Sequence, residues 1–200
     1  MVINKIVLGK LQTNCYFIES NGEVVIIDPA NEFVKIHEFI KEHNFKVKAI
    51  LVTHGHFDHV GAVKRLQKLN IPVYMSEFDS NIIENTPGYY FLERTKSFRA
   101  DYFVKNGDEL NLIGLKIKVL ETPGHTKGSV SYKLDNYLFS GDLIFAGGNY
   151  GRIDLYSGNL QDLRYSLKDL LFKLDDDVVI LAGHGTETNV KTEKELFIDF

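Results

Sequence analysis

The stretch HGHFDHVG, from His54 to Gly61, places three histidines and one aspartate within six residues. It directly follows an apolar run, Ala49 to Thr53, which is typical of a buried strand. Histidine is the commonest neutral metal ligand in proteins, and carboxylates accompany it at divalent cations. The stretch therefore predicts a metal site at the point where a strand gives way to a helix.

The spacing within this stretch indicates more than one metal ion. His54 and His56 would project to the same side of an extended segment, because side chains repeat every two residues there. Asp58 and His59 fall where the chain turns into the next helical pattern. Two ligand pairs are therefore presented in different directions.

Three further residues have the same setting, at the end of an apolar run and beside glycine. His125 lies in TPGHTKGSV, His184 in LAGHGTET, and Asp142 follows Gly141. Loops of this kind carry function on a rigid scaffold. The two remaining histidines, His37 and His43, lie in a segment with a helical apolar stripe and are predicted to be surface residues.

The number of candidate ligands favours a centre with two ions. A catalytic ion typically takes three protein ligands and keeps one position open. Five histidines and two aspartates divide into three, three and one shared carboxylate. This is the arrangement of a two-metal centre.

The order of the motifs HGHFDH, PGHT, GD and GHG resembles the metallo-β-lactamase-fold hydrolases, and most closely their glyoxalase II-like branch. The similarity runs from Thr13 to Lys194. The flavodiiron branch carries a glutamate in place of His56, and the β-lactamases proper lack an aspartate in place of Asp142. The thioesterase-type motif set is complete in this chain.

The resemblance implies two adjacent metal sites that share one carboxylate. The ligands of the first site would be His54, His56 and His125, those of the second Asp58, His59 and His184, and the bridging ligand Asp142. Zinc is the leading candidate for both ions, while histidine and carboxylate ligands leave iron and manganese open.

The pattern of elements predicts an α+β fold, a four-layer αββα sandwich, with residues 1–200 forming one domain. Ten strand-like runs are expected at Ile3–Leu8, Tyr16–Ile18, Val24–Ile27, Ala49–Thr53, Ile71–Tyr74, Leu110–Ile113, Leu115–Leu120, Val130–Leu134, Leu138–Ser140 and Val178–Leu181. Helices are expected at Phe33–His43, Val60–Leu69, Leu160–Leu174 and Val190–Phe197, the third as core packing alone. Hairpin-type turns are expected at Asp135-Asn136 and Asn106-Gly107.

Composition narrows the classes of partner. The net charge is −4 and no basic block occurs, so the phosphate-binding footprint of a nuclease is missing. No apolar run is long enough to cross a bilayer, and the N-terminus reads as a strand instead of a signal peptide. The single cysteine, Cys15, is expected to be a small buried apolar residue, and the cytoplasm is the expected compartment.

Two segments bear on the substrate. Arg152, in GGNYGRIDL, resembles the basic residue that the glyoxalase II family uses near the carboxylate-bearing thiol portion of its substrate, while a pair with Asp154 is the alternative. Glu77–Ala100 reads as an irregular stretch in which the aromatic residues of 89–91 either line a pocket or pack into the core. The chain resembles the short type without a C-terminal helical region, which leaves the thiol open.

The implied activity is hydrolysis of a thioester, such as lactoylglutathione, by a hydroxide that bridges two metal ions. Asp58 and Asp142 would orient that hydroxide while serving as ligands. The alternative is a mononuclear iron persulfide dioxygenase of the same fold, whose motif set is nearly the same. A structural metal module is disfavoured, since such sites are closed and normally rich in cysteine.

Overall fold

The computed structural model describes residues 1–85, 97–198 and 200, and this part of the chain forms two six-stranded mixed sheets. The first sheet contains, in spatial order, β1 (Val2–Leu8), β2 (Thr13–Ser20), β3 (Glu23–Ile27), β4 (Lys46–Leu51), β5 (Val73–Ser76) and β6 (Tyr102–Val104). The second contains β12 (Thr188–Asn189), β11 (Val179–Ala182), β10 (Tyr137–Gly141), β9 (Val130–Leu134), β8 (Leu115–Glu121) and β7 (Glu109–Leu112).

Helices cover the outer faces of both sheets. They are α1 (Phe33–Glu42), α2 (Phe57–Val60), α3 (Val63–Gln67), α4 (Glu77–Asn85), α5 (Leu160–Tyr165) and α6 (Val190–Leu196). None of the helices in the described ranges is long and apolar enough to cross a membrane.

Strand residues are buried on both faces, which produces a four-layer arrangement. In β2, Phe17 packs with the helices outside the first sheet, whereas its neighbour Ile18 packs between the sheets. Ile50 and Leu51 of β4 divide in the same way, because successive side chains point to opposite faces. A third apolar cluster lies outside the second sheet, around α5. The αββα sandwich predicted from the sequence is confirmed.

Several element boundaries differ from those predicted. The Asp135-Asn136 turn does join the antiparallel strands β9 and β10. The Asn106-Gly107 turn instead connects β6 to β7, which belong to different sheets, so the hairpin prediction is wrong. Strand β6 was not predicted, because it forms by parallel pairing with β5, a contact that the local pattern does not show. The helix predicted over Val60–Leu69 is broken, with α2 beginning inside the histidine motif.

The segment predicted to be irregular, Glu77–Ala100, begins with the helix α4. That part of the prediction is wrong, because Asp79, Ser80 and Ile83 form a buried helix face against β5 and the neighbouring loops. The aromatic residues at 89–91 lie outside the described residues, so their role in a pocket wall stays a prediction.

The helix predicted over Leu160–Leu174 is not uniform and does more than pack the core. After α5 the chain continues through a π-helical stretch, Ser166–Leu170, and a 3₁₀ turn, Leu171–Lys173. The wider turns begin at Ser166, whose buried hydroxyl donates a hydrogen bond to the carbonyl oxygen of Pro123 at 2.6 Å. Asn159 caps the helix as predicted, and its N–H donates to the carbonyl oxygen of Gly124. The helix therefore also supports the loop that carries His125.

Candidate metal centre

Four loops that follow strand ends deliver the candidate ligands to one place. The loop after β4 carries the HGHFDH motif, and the loops after β8, β10 and β11 carry His125, Asp142 and His184. The structure brings all seven predicted residues together. Three groups within the described residues have ligand atoms close enough to hold an ion: His54, His56 and His125; His54, His59 and Asp142; Asp58, His59 and His184.

The first group is formed by three buried histidines. His125 Nε2 lies 2.6 Å from His56 Nδ1 and 3.2 Å from His54 Nε2. Each of these side chains is less than a tenth exposed. Their nitrogens converge on one small space that is shielded from water.

The second group combines two histidines with an aspartate. His184 Nε2 lies 3.4 Å from His59 Nε2 and 3.3 Å from Asp58 Oδ2. The hydroxyl of Thr13 donates a hydrogen bond of 3.0 Å to the same Asp58 oxygen. Thr13 begins β2, so the first sheet contacts this group directly.

Asp142 lies between the two groups. Its Oδ2 is 3.5 Å from His125 Nε2 and 3.5 Å from His184 Nε2, and its Oδ1 is 3.3 Å from His59 Nε2. Gly141 allows this placement, because it has a φ of +52° and a Cβ there would overlap the Thr53 side chain.

The ring nitrogens and carboxylate oxygens of the centre are arranged to bind a metal cation. His59 Nδ1–H donates to Asp28 and His125 Nδ1–H donates to the carbonyl oxygen of Arg152, so in the neutral rings both Nε2 atoms carry lone pairs. These lone pairs face Asp142, whose Oδ1 is buried and has no hydrogen-bond partner among the described residues. The nitrogen lone pairs and the carboxylate oxygens repel one another unless protons or metal ions lie between them. The donor set of imidazole and carboxylate suits zinc, iron or manganese.

Hydrogen bonds on the far side fix the imidazole rings. His125 Nδ1–H donates to the carbonyl oxygen of Arg152 at 2.7 Å, and His184 Nδ1–H donates to that of Leu11 at 3.0 Å. Partners of this kind orient metal-ligating histidines and set which nitrogen is free to bind.

Asp28 is the functional residue that the sequence analysis missed most clearly. Its Oδ2 accepts hydrogen bonds from His59 Nδ1 at 2.9 Å and from the Thr53 hydroxyl at 2.7 Å, while Thr53 Oγ1 lies 3.1 Å from His54 Nδ1. Asp28 therefore supports one histidine of each group. Its signal was present, because it follows the strand Glu23–Ile27 as Asp142 follows β10.

The two groups differ in protonation. Burial lowers the pKa of His56 to about 3 and lowers those of His54 and His125. Burial also acts on His59 and His184, but the nearby carboxylates outweigh it, raising the pKa of His184 to about 9 and that of His59 well above its usual value. Without metal, the first group is neutral and the second is an ion-paired cluster.

The loop after Asp142 places Arg152 beside the centre but directs its side chain to solvent. Its guanidinium forms a two-pronged bond to Asp154, with both distances 2.7 Å. The N–H of Gly151 donates to the carbonyl oxygen of Asp142. Glu193, which is fully buried on α6, accepts hydrogen bonds from the N–H groups of residues 147 and 148 and anchors the loop.

The other residues singled out in the sequence lie away from the centre. Cys15 is fully buried in the core outside the first sheet, as predicted. His37 stacks on Phe33 and His43 donates to the carbonyl oxygen of Phe39, all within or next to α1.

Fold and centre together define a class, the αββα sandwich enzymes that hold metal in loops at the ends of two facing sheets. The chain belongs to the metallo-beta-lactamase superfamily, whose family model matches residues 8–184. It is 38% identical over 195 residues to the probable metallo-hydrolase YqgX of Bacillus subtilis, covering 94% of this chain and 92% of the relative. It is 34% identical over 203 residues to the hydroxyacylglutathione hydrolase GloC of Haemophilus influenzae, covering 97% and 95%.

Solved structures agree with this assignment. The BLEG-1 B3 metallo-beta-lactamase has a TM-score of 0.90 at 32% identity and covers 97% of each chain. TTHA1623, in a di-iron-bound form, has a TM-score of 0.84 at 33% identity, covering 96% of this chain and 98% of that one. ETHE1 from Myxococcus xanthus has a TM-score of 0.79 at 30% identity, covering 97% and 82%. The resemblance to the glyoxalase II-like branch is confirmed.

The difference in protonation can be measured in protein stripped of metal. His184 should titrate at about pH 9 and His56 should stay neutral down to about pH 3. The His184 cation then contributes stability that is complete below pH 6.5 and is lost as the pH rises through about 9. NMR of the ring nitrogens from pH 5 to 10, assigned with His184→Gln and His56→Gln, checks this. Titration of both rings near pH 6.5 would contradict it.

Proposed function

We propose that this chain is a binuclear metal-dependent hydrolase that cleaves thioesters, with 2-hydroxyacyl thioesters as its leading substrates. The position of Asp142 carries the proposal, because its carboxylate contacts ring nitrogens of both histidine groups and leaves one buried oxygen without a hydrogen bond. The similarity to a relative named hydroxyacylglutathione hydrolase supports the choice of substrate.

The proposed ligand sets follow the two groups. The first ion would bind His54, His56 and His125, the second Asp58, His59 and His184, and Asp142 would bind both. When bound, the two ions would lower the pKa of a coordinated water and polarise the acyl carbonyl group.

The protein residues prepare the site for this chemistry. Burial keeps His56 unprotonated at neutral pH, so protons do not compete for its Nδ1. When the His59 ring is neutral, Asp28 holds its proton on Nδ1, so Nε2 is the nitrogen free to bind a metal ion. In the metal-free protein, Asp58 and Asp142 stay ionised, since the neighbouring cationic His59 outweighs their burial and lowers both pKa values. A thiolate leaves without needing a proton, so the reaction requires no separate general acid.

Arg152 is proposed to bind a carboxylate on the thiol half of the substrate. Its guanidinium already binds a carboxylate in two-pronged geometry, that of Asp154, on an exposed surface where exchange of partners costs little. Its backbone is fixed close to the centre, because its carbonyl oxygen accepts the Nδ1–H of His125. A carboxylate on the thiol half of the substrate could therefore replace Asp154 at the edge of the centre, away from the reacting bond.

The alternative activity is a persulfide dioxygenase reaction at a single iron. The first histidine group could hold one ion without the second group, and the fold is shared with ETHE1. The two activities differ in metal content and in their need for oxygen, which makes them separable by experiment.

The number of bound ions is the first test. Protein saturated with zinc should contain two ions per chain, and Asp142→Ala should lower the affinity for both, because this residue is the one proposed to be a ligand of both ions. His184→Gln should weaken the second ion preferentially. Elemental analysis after dialysis against defined free zinc measures each loss.

Assays on the same samples decide the reaction. Thioester cleavage without oxygen uptake supports the hydrolase. One firmly bound iron with oxygen uptake on a persulfide, or cleavage of a β-lactam alone, would contradict it. Full metal content and activity in Asp142→Ala would exclude the bridging role.

The Arg152 proposal predicts a loss that depends on substrate charge. Arg152→Ala should lower kcat/KM by about tenfold or more for lactoylglutathione, mainly through KM, because the contact is remote from the bond that breaks. The lactoyl thioester of N-acetylcysteamine, whose thiol is uncharged, should be unaffected. Asp154→Asn is the matched control and should retain activity on both. Equal losses on both substrates in Arg152→Ala would show that the residue supports the loop instead.

A further inference from the structure

Another buried carboxylate, Asp79, lies behind the first histidine group and outside all three candidate ligand sets. It is on the first turn of α4 and is 1% exposed. Its Oδ2 accepts hydrogen bonds from the N–H of Gly55 at 2.7 Å and from the hydroxyl of Thr126 at 2.9 Å. The backbone N–H of Gly128 also lies near this carboxylate and favours its ionised form, lowering its pKa.

These bonds connect the two loops that carry the first group. Gly55 lies between His54 and His56, and Thr126 follows His125 directly. One side chain on a third element therefore fixes both loops. The distance that depends on this arrangement is the 2.6 Å between His56 Nδ1 and His125 Nε2.

The close approach of the two loops to Asp79 explains why glycine stands at positions 55 and 128. A Cβ at Gly55 would lie 3.2 Å from the Cβ of Asp79. A Cβ at Gly128 would overlap the Asp79 carboxylate and the hydroxyl of Ser76. A side chain at Gly128 would therefore displace Asp79, whereas one at Gly55 would crowd it.

Groups on these loops stabilise the buried Asp79 carboxylate in its ionised form. Burial raises the pKa of Asp79, while the bonds from Gly55, Thr126 and Gly128 lower it. A buried carboxylate needs such donors to offset its loss of hydration. In Asp79→Asn, an amide NH₂ would replace one carboxylate oxygen. This NH₂ would face N–H or O–H groups of the loops, from which it cannot accept a hydrogen bond, so the loops would have to move.

We propose that Asp79 is a positioning residue that holds the His54–His56 loop against the His125 loop and so preorganises the first metal site. The inference rests on the ligand sets proposed above. The second group is supported by Asp28, Thr13 and the carbonyl oxygen of Leu11, so it should not depend on Asp79. Loss of such outer partners typically lowers metal affinity about tenfold to a hundredfold.

Cobalt(II) titration of metal-free protein tests the proposal, with affinities measured by absorption against a competing chelator. Asp79→Asn should weaken one of the two ions about tenfold to a hundredfold and leave the other near its wild-type affinity. Hydrogen exchange of the metal-free protein should show faster exchange at the Gly55 and Gly128 amides. This readout needs neither metal nor activity.

Matched variants separate positioning from stability. Ser80→Ala removes a neighbouring buried acceptor on the same helix, which bonds the N–H of Ala100 and no ligand loop, so its cobalt affinities should be those of the wild type. Thr126→Val should weaken the same ion as Asp79→Asn, whereas Thr126→Ser keeps the hydroxyl and should restore binding.

The outcomes are distinguishable. Wild-type affinity for both ions in Asp79→Asn, or equal weakening of both, would overturn the proposal. If Asp79→Asn does not fold, Thr126→Val decides, and unchanged affinities there would overturn it equally. Failure of the wild-type protein to bind two ions would instead contradict the proposed function.

Discussion

The site depends on one constraint, which is that seven candidate ligand side chains, five of them buried, are held with their donor atoms at close range. Ring nitrogens meet at 2.6 Å in the first group, and a buried aspartate oxygen faces a ring nitrogen at 3.3 Å in the centre. Such an arrangement is stable only when cations separate the donors. Without metal, protons on His59 and His184 take this place in the second group, and the first group must be held together by its surroundings.

The residues around the ligands are therefore as important to the geometry of the site as the ligands themselves. Asp28 supports a histidine from each group, Asp79 fastens two ligand loops, and Glu193 anchors the loop that leads to Arg152. All three carboxylates are buried and accept hydrogen bonds from backbone N–H or side-chain donors. Asp28 follows β3, Asp79 lies on α4 and Glu193 lies on α6, so the first sheet and two helices supply these supports.

The candidate ligands could be predicted from the sequence because their signal is local. Each follows an apolar run and stands beside glycine or another ligand, and the αββα layers follow from the same runs. Among the supporting residues, Asp28 has the same local signal, because it directly follows a strand, whereas Asp79 does not. Asp79 lies in a stretch without strong periodicity, and its partners, Gly55 and Thr126, are 24 and 47 residues away in the chain.

Contacts between distant parts of the chain also explain why some secondary-structure elements were predicted wrongly. Strand β6 exists through its pairing with β5, and the turn at Asn106-Gly107 looks like a hairpin until its flanking strands are seen to join different sheets. The helix after Asn159 widens at Ser166, where a hydroxyl contacts the His125 loop. These features are decided by contacts between elements that a single sequence does not display.

The central claim is that Asp142 joins two metal ions in one centre. Anomalous X-ray diffraction from crystals grown with zinc tests it most directly. The account predicts two peaks roughly 3.5–4 Å apart, with oxygens of the Asp142 carboxylate coordinating both. A single peak, or two peaks of which Asp142 coordinates only one, would contradict it.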